Sequence, residues 1–200
     1  QEYDGPGGTD RVTIMDGPLD LNFHAAHVTG TIMASGVVPQ AKGMAPQARV
    51  HGYDWFSDTG EVATAAGNGL LLSNHSYGYQ APGIPDQWFG AYREDARDFD
   101  DIMYNAPYYL TVISAGNDGL DNTSNAFPLQ GNPGYDKLSG MKTSKNAMIV
   151  ANAQDATVDS NGNLISVLIN ETSSQGPTDD FRIKPDISGN GTGVFSTYET

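Results

Sequence analysis

F-H-A-A-H-V-T-G-T-I-M-A-S-G, from Phe23 to Gly36, opens with two histidines three residues apart, His24 and His27, and continues as a run of small and apolar residues. The run predicts a helix over 24–35 packed inside the protein. Ala25, Ala26, Gly30 and Ala34 let a helix lie close against a sheet, at some cost in propensity, and Gly36 is a natural stop. A lone histidine at a helix start more often caps or satisfies a polar group than takes part in chemistry. The segments on either side decide between those roles.

Before the helix, Arg11 to Met15 (R-V-T-I-M) reads as a short strand ending at the turn pair Asp16-Gly17. After it come a strand over Ala48 to Trp55, a small-residue helix over Gly60 to Asn68, and a buried strand over Leu70 to Ser76 (L-L-L-S-N-H-S). Tyr92 to Tyr104 reads as a surface helix: Arg93, Glu94, Asp95, Arg97, Asp98, Asp100 and Asp101 charge it, while Phe99 and Met103 are spaced to form an inner face. Tyr108 to Ser114 is a β-rich run that ends at A-G-N-D-G, Ala115 to Gly119, and Ala147 to Ala151 is a further strand. Asn161-Gly162 marks a hairpin beyond it. Alternating strands and helices imply an α/β fold, a mostly parallel sheet with helices on both faces. In such folds ligands meet the loops at the carboxyl ends of the strands. Here those loops hold the approach to His24, Ser76-Tyr77-Gly78 and Ala115-Gly116-Asn117.

Composition narrows the function. The 200 residues suit one domain, and the 24 glycines and 11 prolines point to tight turns and close backbone approaches. A formal net charge of -14 repels nucleic-acid phosphate and anionic lipid, so neither nucleic acid nor a membrane is an expected partner. With 0 cysteines, disulfides and thiolate zinc sites are excluded. A zinc site on His24 and His27 would lack the glutamate of an H-E-x-x-H helix. Four N-x-S/T triplets, at Asn74, Asn122, Asn170 and Asn190, are compositional rather than diagnostic.

Taken in order, five stretches resemble the subtilisin-like serine proteases, the subtilases. His24 to Gly30 (H-A-A-H-V-T-G) is similar to the family's H-G-T-H-V-A-G block and Gly43 to Pro46 (G-M-A-P) to its G-V-A-P turn. Ser76-Tyr77-Gly78 matches its S-x-G substrate-binding strand, and Ala115 to Gly119 (A-G-N-D-G) its oxyanion-hole asparagine motif. Ser174 to Ile187 resembles its S-x-x-G-P-T-D-D-G-R-x-K-P-D-I run. The resemblance implies a subtilisin-like three-layer fold and a serine-type endopeptidase acting through an acyl-enzyme. His24 would be the general base, Asn117 the oxyanion donor, and Ser76, Tyr77, Gly78, Ala115 and Gly116 would bind a polypeptide substrate. His27 would be a packed structural histidine. Secretion, or a periplasmic location, is likewise implied by the family.

Departures from the family pattern set further expectations. Ala25 and Ala26 replace Gly-Thr, which preserves small volume and improves helix propensity. Ser188-Gly189-Asn190-Gly191 stands where a stretch ending A-P-G is usual. No cofactor is required; the family's asparagine-rich calcium loop is not evident in Val37 to Lys42, though acidic loops elsewhere could hold a structural calcium ion. The chain contains no G-T-S-M-A block, which in the family carries the nucleophilic serine shortly after the region matching Gly191 to Thr197. Asp16 follows an apolar strand and is a candidate for the triad aspartate, but only seven residues separate it from His24, fewer than the family's intervening strand and loop need. The catalytic aspartate is therefore expected before Gln1 and the serine after Thr200, with residues 1–200 forming a single partial catalytic domain completed by flanking sequence or a second chain. A non-catalytic subtilase-like peptide-binding module is the alternative.

Overall fold

The computed structural model describes residues 1–5, 7–17 and 22–198. The elements run β1 (Val12–Ile14), α1 (Phe23–Met33), β2 (Val50–Gly52), α2 (Asp58–Gly67), β3 (Leu72–His75), α3 (Glu94–Asn105), β4 (Leu110–Ser114), β5 (Met148–Ala153), β6 (Thr157–Val158), β7 (Leu164–Ser166) and β8 (Ile187–Asn190). Two compact units are distinguished, Gln1–Asp58 with Gly193–Thr200, and Thr59–Thr192. No helix among the described residues is long and apolar enough to cross a membrane.

In the first unit β1 and β2 pair in parallel, Thr13 opposite His51. Helix α1 starts one residue before the predicted position, because the Asn22 side chain accepts from the amides of His24 and Ala25. It is less enclosed than its composition suggests: only Gly30 and Met33 are buried, and the turn carrying His24 is exposed. The G-M-A-P turn closes its other end. Gly43, Met44 and Ala45 donate in succession to the carbonyls of Ala34, Thr31 and Ile32, satisfying acceptors that a helix end leaves open. A Cβ on Gly43 would come within 2.6 Å of the amides of Ala34 and Met33, so the turn requires glycine there.

The second unit is built on a four-stranded, wholly parallel sheet in the order β3-β4-β5-β8. Val62, Ala66, Phe99, Met103, Tyr109, Ile113, Leu138 and Ile149 belong to one hydrophobic cluster that joins α2 and α3 to the sheet. Phe99 and Met103 form the inner face of α3 as their spacing requires. Asp100, expected among the surface charges of that helix, is buried instead. Its carboxylate accepts from the amides of Lys145 and Asn146 and from the Tyr92 hydroxyl, fixing the turn that leads into β5. The hairpin falls at Asn161-Gly162, with β6 and β7 antiparallel around it.

Strand β3 corrects the expectation of a buried L-L-L-S-N-H-S strand. It lies at the edge of the sheet, Leu71 and Leu72 are more than half exposed, and the inward positions fall to Ser73 and His75. Side chains alternate across a strand, so facing Ser73 and His75 inward turns Leu72 and Asn74 outward. Strand β8, unforeseen at Ser188-Gly189-Asn190, pairs Ser188 with Ala151 of β5.

Candidate active site

Strand β4 delivers Ala115 to Gly119 at its carboxyl end, and a distant segment fastens this turn. The Ser174 amide donates to the Gly116 carbonyl at 3.0 Å, the Asp118 amide donates to Ser174 Oγ at 2.9 Å, and the Gly119 amide donates to the Thr172 carbonyl at 3.0 Å. The Asp118 carboxylate accepts from the Ala81 amide in turn. Both glycines are needed by this closeness. A Cβ on Gly116, whose φ is +112°, would sit 2.8 Å from Ser174 Oγ, and one on Gly119 2.4 Å from the Glu171 carbonyl. Asn117 is left exposed at the apex, and no hydrogen bond engages its side-chain amide among the described residues. The brace fixes the backbone on either side of Asn117 and leaves its side-chain amide open to solvent.

Ser76-Tyr77-Gly78 continues β3, the neighbour of β4; with His75 opposite Ile113, the ends of both strands reach the same side of the sheet. Behind Tyr77 runs a chain of buried polar groups that sequence reading missed. The Tyr77 hydroxyl meets His75 Nδ1 at 2.5 Å, Ser73 Oγ meets His75 Nε2 at 2.7 Å and also the Tyr109 hydroxyl, and Thr111 Oγ1 donates to Tyr109. The imidazole packs edge-on against Phe99. Burial lowers the His75 pKa to about 4, so the ring is neutral at physiological pH and bridges the two hydroxyls as donor on one nitrogen and acceptor on the other. The signal for this chain was the alternation of Ser73 and His75 in a strand next to a tyrosine-bearing one, since inward polar groups require partners.

His24 belongs to the first unit, on the first turn of α1, its amide held by the Asn22 Oδ1 at 2.9 Å and its ring 6.5 Å edge-on from that of Phe23. His27, one turn on, is partly buried, and its Nε2 lies 3.2 Å from the Val194 carbonyl. The same segment closes on the helix through Ser196 and Thr197, whose hydroxyls donate to the carbonyls of His27 and Ala26. The Asp16 carboxylate accepts from the Asp54 amide at 2.6 Å, tying together the ends of β1 and β2. The approach to His24 through residues 18–21 lies outside the described residues.

The Ser174 to Ile187 run is a brace. Arg182 pairs with Asp180 at 2.9 Å and donates to the Thr143 carbonyl, Lys184 donates to Ala147 and pairs with Asp186, and Asp186 accepts from the Ile149 amide. These bonds lock the stretch before β5 against the sheet. Beside them, the buried Asp136 keeps one carboxylate oxygen unpartnered, and a Cβ on Gly90 would touch both that oxygen and Asp179. Burial and then the Asp136 charge raise the Asp179 pKa. Among the described residues no group of three or more His, Asp or Glu gathers that could hold a metal ion.

A search of curated proteins finds no match to this chain. A profile of the subtilase family, a family of serine proteases, matches residues 10–200, which takes in both histidines of α1, the Asn117 turn and the Ser174 brace. With that extent of match and an α/β fold built on a parallel sheet, the chain belongs to the subtilase family.

Proposed function

We propose that the protein is a serine-type endopeptidase in which this chain supplies the base, His24, and the oxyanion donor, Asn117. The observation that carries the reading is the braced Ala115–Gly119 turn, with the Asn117 amide uncommitted at the end of a strand next to the one bearing Ser76-Tyr77-Gly78. A polypeptide laid along Ser76 to Gly78 would pair as an added strand, the usual way an extended peptide meets a sheet edge.

In this reading a serine hydroxyl attacks the scissile carbonyl while His24 takes its proton. The carbonyl electron pair moves onto oxygen, and the Asn117 amide stabilises that charge. Collapse of the tetrahedral species breaks the C–N bond, and the departing amine takes the proton back from His24. Water then repeats the sequence on the acyl-enzyme and frees the serine. The side chain of Tyr77, held from behind by His75, would shape the neighbouring subsites. As for other family members, we place the activity outside the cytoplasm.

Steady-state hydrolysis of a peptide mixture by the full-length protein tests this. Wild-type protein is expected to turn the mixture over, and His24→Ala to lose about 10⁶-fold in kcat, the size known for the triad histidine of subtilisin itself. A folded wild-type protein that binds peptides and cleaves none would make it a peptide-binding module instead.

A further inference from the structure

Three lysines of the second unit are buried, and they differ in one respect. Lys137, 1% exposed, donates to the Asp121 carbonyl; Lys184, 8% exposed, donates to Ala147 and pairs with Asp186 at 2.8 Å. Lys142 is 2% exposed, and among the described residues its ammonium makes no hydrogen bond and no ion pair. An unpaired buried charge is costly, so proteins keep one where it meets something else. Desolvation lowers the Lys142 pKa, opposed by the Asp118 carboxylate. Fully enclosed polar atoms without a partner include Arg11 Nε and Asp136 Oδ1 but not Lys142 Nζ, so the residue's remaining exposure reaches its head group.

Its location is specific. A Cβ on Gly78 would come within 2.8 Å of Lys142 Cε and 3.1 Å of its Nζ, and a Cβ on Gly116 within 2.7 Å of the same Nζ. The ammonium therefore stands between the two segments that leave β3 and β4, at the space their missing side chains open. The backbone behind it is rigid: Gly140–Thr143 forms a 3₁₀ turn, Thr143 Oγ1 donates to Ala91, and Arg182 donates to the Thr143 carbonyl.

We propose that Lys142 sets cleavage specificity by receiving the side-chain carboxylate of a substrate glutamate or aspartate. The inference rests on the endopeptidase reading above. Gly116 adjoins Asn117, whose amide takes the scissile carbonyl oxygen, so the side chain that reaches Lys142 is the one on the residue bearing that carbonyl. A preset ammonium meeting a carboxylate makes a charge-assisted hydrogen bond, whereas an amide of the same shape meets a buried charge it cannot neutralise. The enzyme would cleave after acidic residues.

The test compares matched peptides with Glu, Asp, Gln or Leu at that position, using the full-length protein. Wild type is expected to favour Glu over Gln by about 10- to 100-fold in kcat/KM. Lys142→Met should bring that ratio close to one and improve the Leu peptide relative to Glu, while Lys142→Arg should retain an acidic preference. The wild-type ratio of Glu to Gln stands as a test even where the methionine variant fails to fold. A wild-type enzyme that cleaves Gln or Leu peptides as fast as Glu overturns the Lys142 assignment and leaves the protease reading intact. A wild type that cleaves none of the four and is not labelled by a fluorophosphonate overturns the protease reading itself.

Discussion

The turn at Asn117 and the helix start at His24 bear the two chemical roles proposed above, and they are held by different means. Ser174, from 56 residues away, and Thr172 beside it fasten the turn from outside, and two glycines let that segment come close. Asn22, immediately before the helix, holds the start of α1 through the amides of His24 and Ala25. The difference matches the work proposed for each group. An oxyanion donor acts by standing in place before charge develops, so any looseness is lost stabilisation. A general base must pick up a proton and hand it on, and needs a located backbone more than an immobile one.

Substitutions can break this contrast at either end. At the turn the largest effect belongs to Asn117→Ala, which should lower kcat of the full-length enzyme by about 10²–10³-fold with KM little changed, the size established for one such donor in subtilisin itself. Steady-state kinetics check it, and a loss carried mainly by KM would make Asn117 a binding residue. Ser174→Ala should come next. The residue is fully buried, and without its hydroxyl the Asp118 amide loses its acceptor, which costs about 1–3 kcal/mol of stability in a urea titration. The smallest effect is expected from Asn22→Ala, about 1 kcal/mol for a lost helix cap by the same titration. Equal costs for Ser174→Ala and Asn22→Ala would erase the distinction between a braced turn and a lightly capped helix.

The same contrast governs what the amino-acid sequence could disclose. Local features were legible: the period of Phe99 and Met103 on α3, the Asn161-Gly162 hairpin, and the order of strands and helices that gives a parallel α/β sheet. Motif matches located Asn117 at a strand end and His24 on a first helical turn, where the structure has them. Features made by distant partners were not legible. Asp100 reads as one more surface charge until the backbone of Lys145 and Asn146 arrives to bury it. Leu71 and Leu72 read as core until the inward side of β3 is claimed by Ser73 and His75. Lys142, in an unremarkable G-M-K-T, carries no local signal, because its meaning comes from Gly78 and Gly116, which stand 64 and 26 positions before it.

The most direct measurement is fluorophosphonate labelling of the full-length protein, followed by peptide mapping of the label and repeated on His24→Ala. The account predicts a single labelled serine in the wild type, lying in a G-T-S-M-A block, and loss of that label when His24 is replaced. A folded wild-type protein that takes no label, or a label undiminished by His24→Ala, would contradict the assignment of His24 as the base that activates a serine.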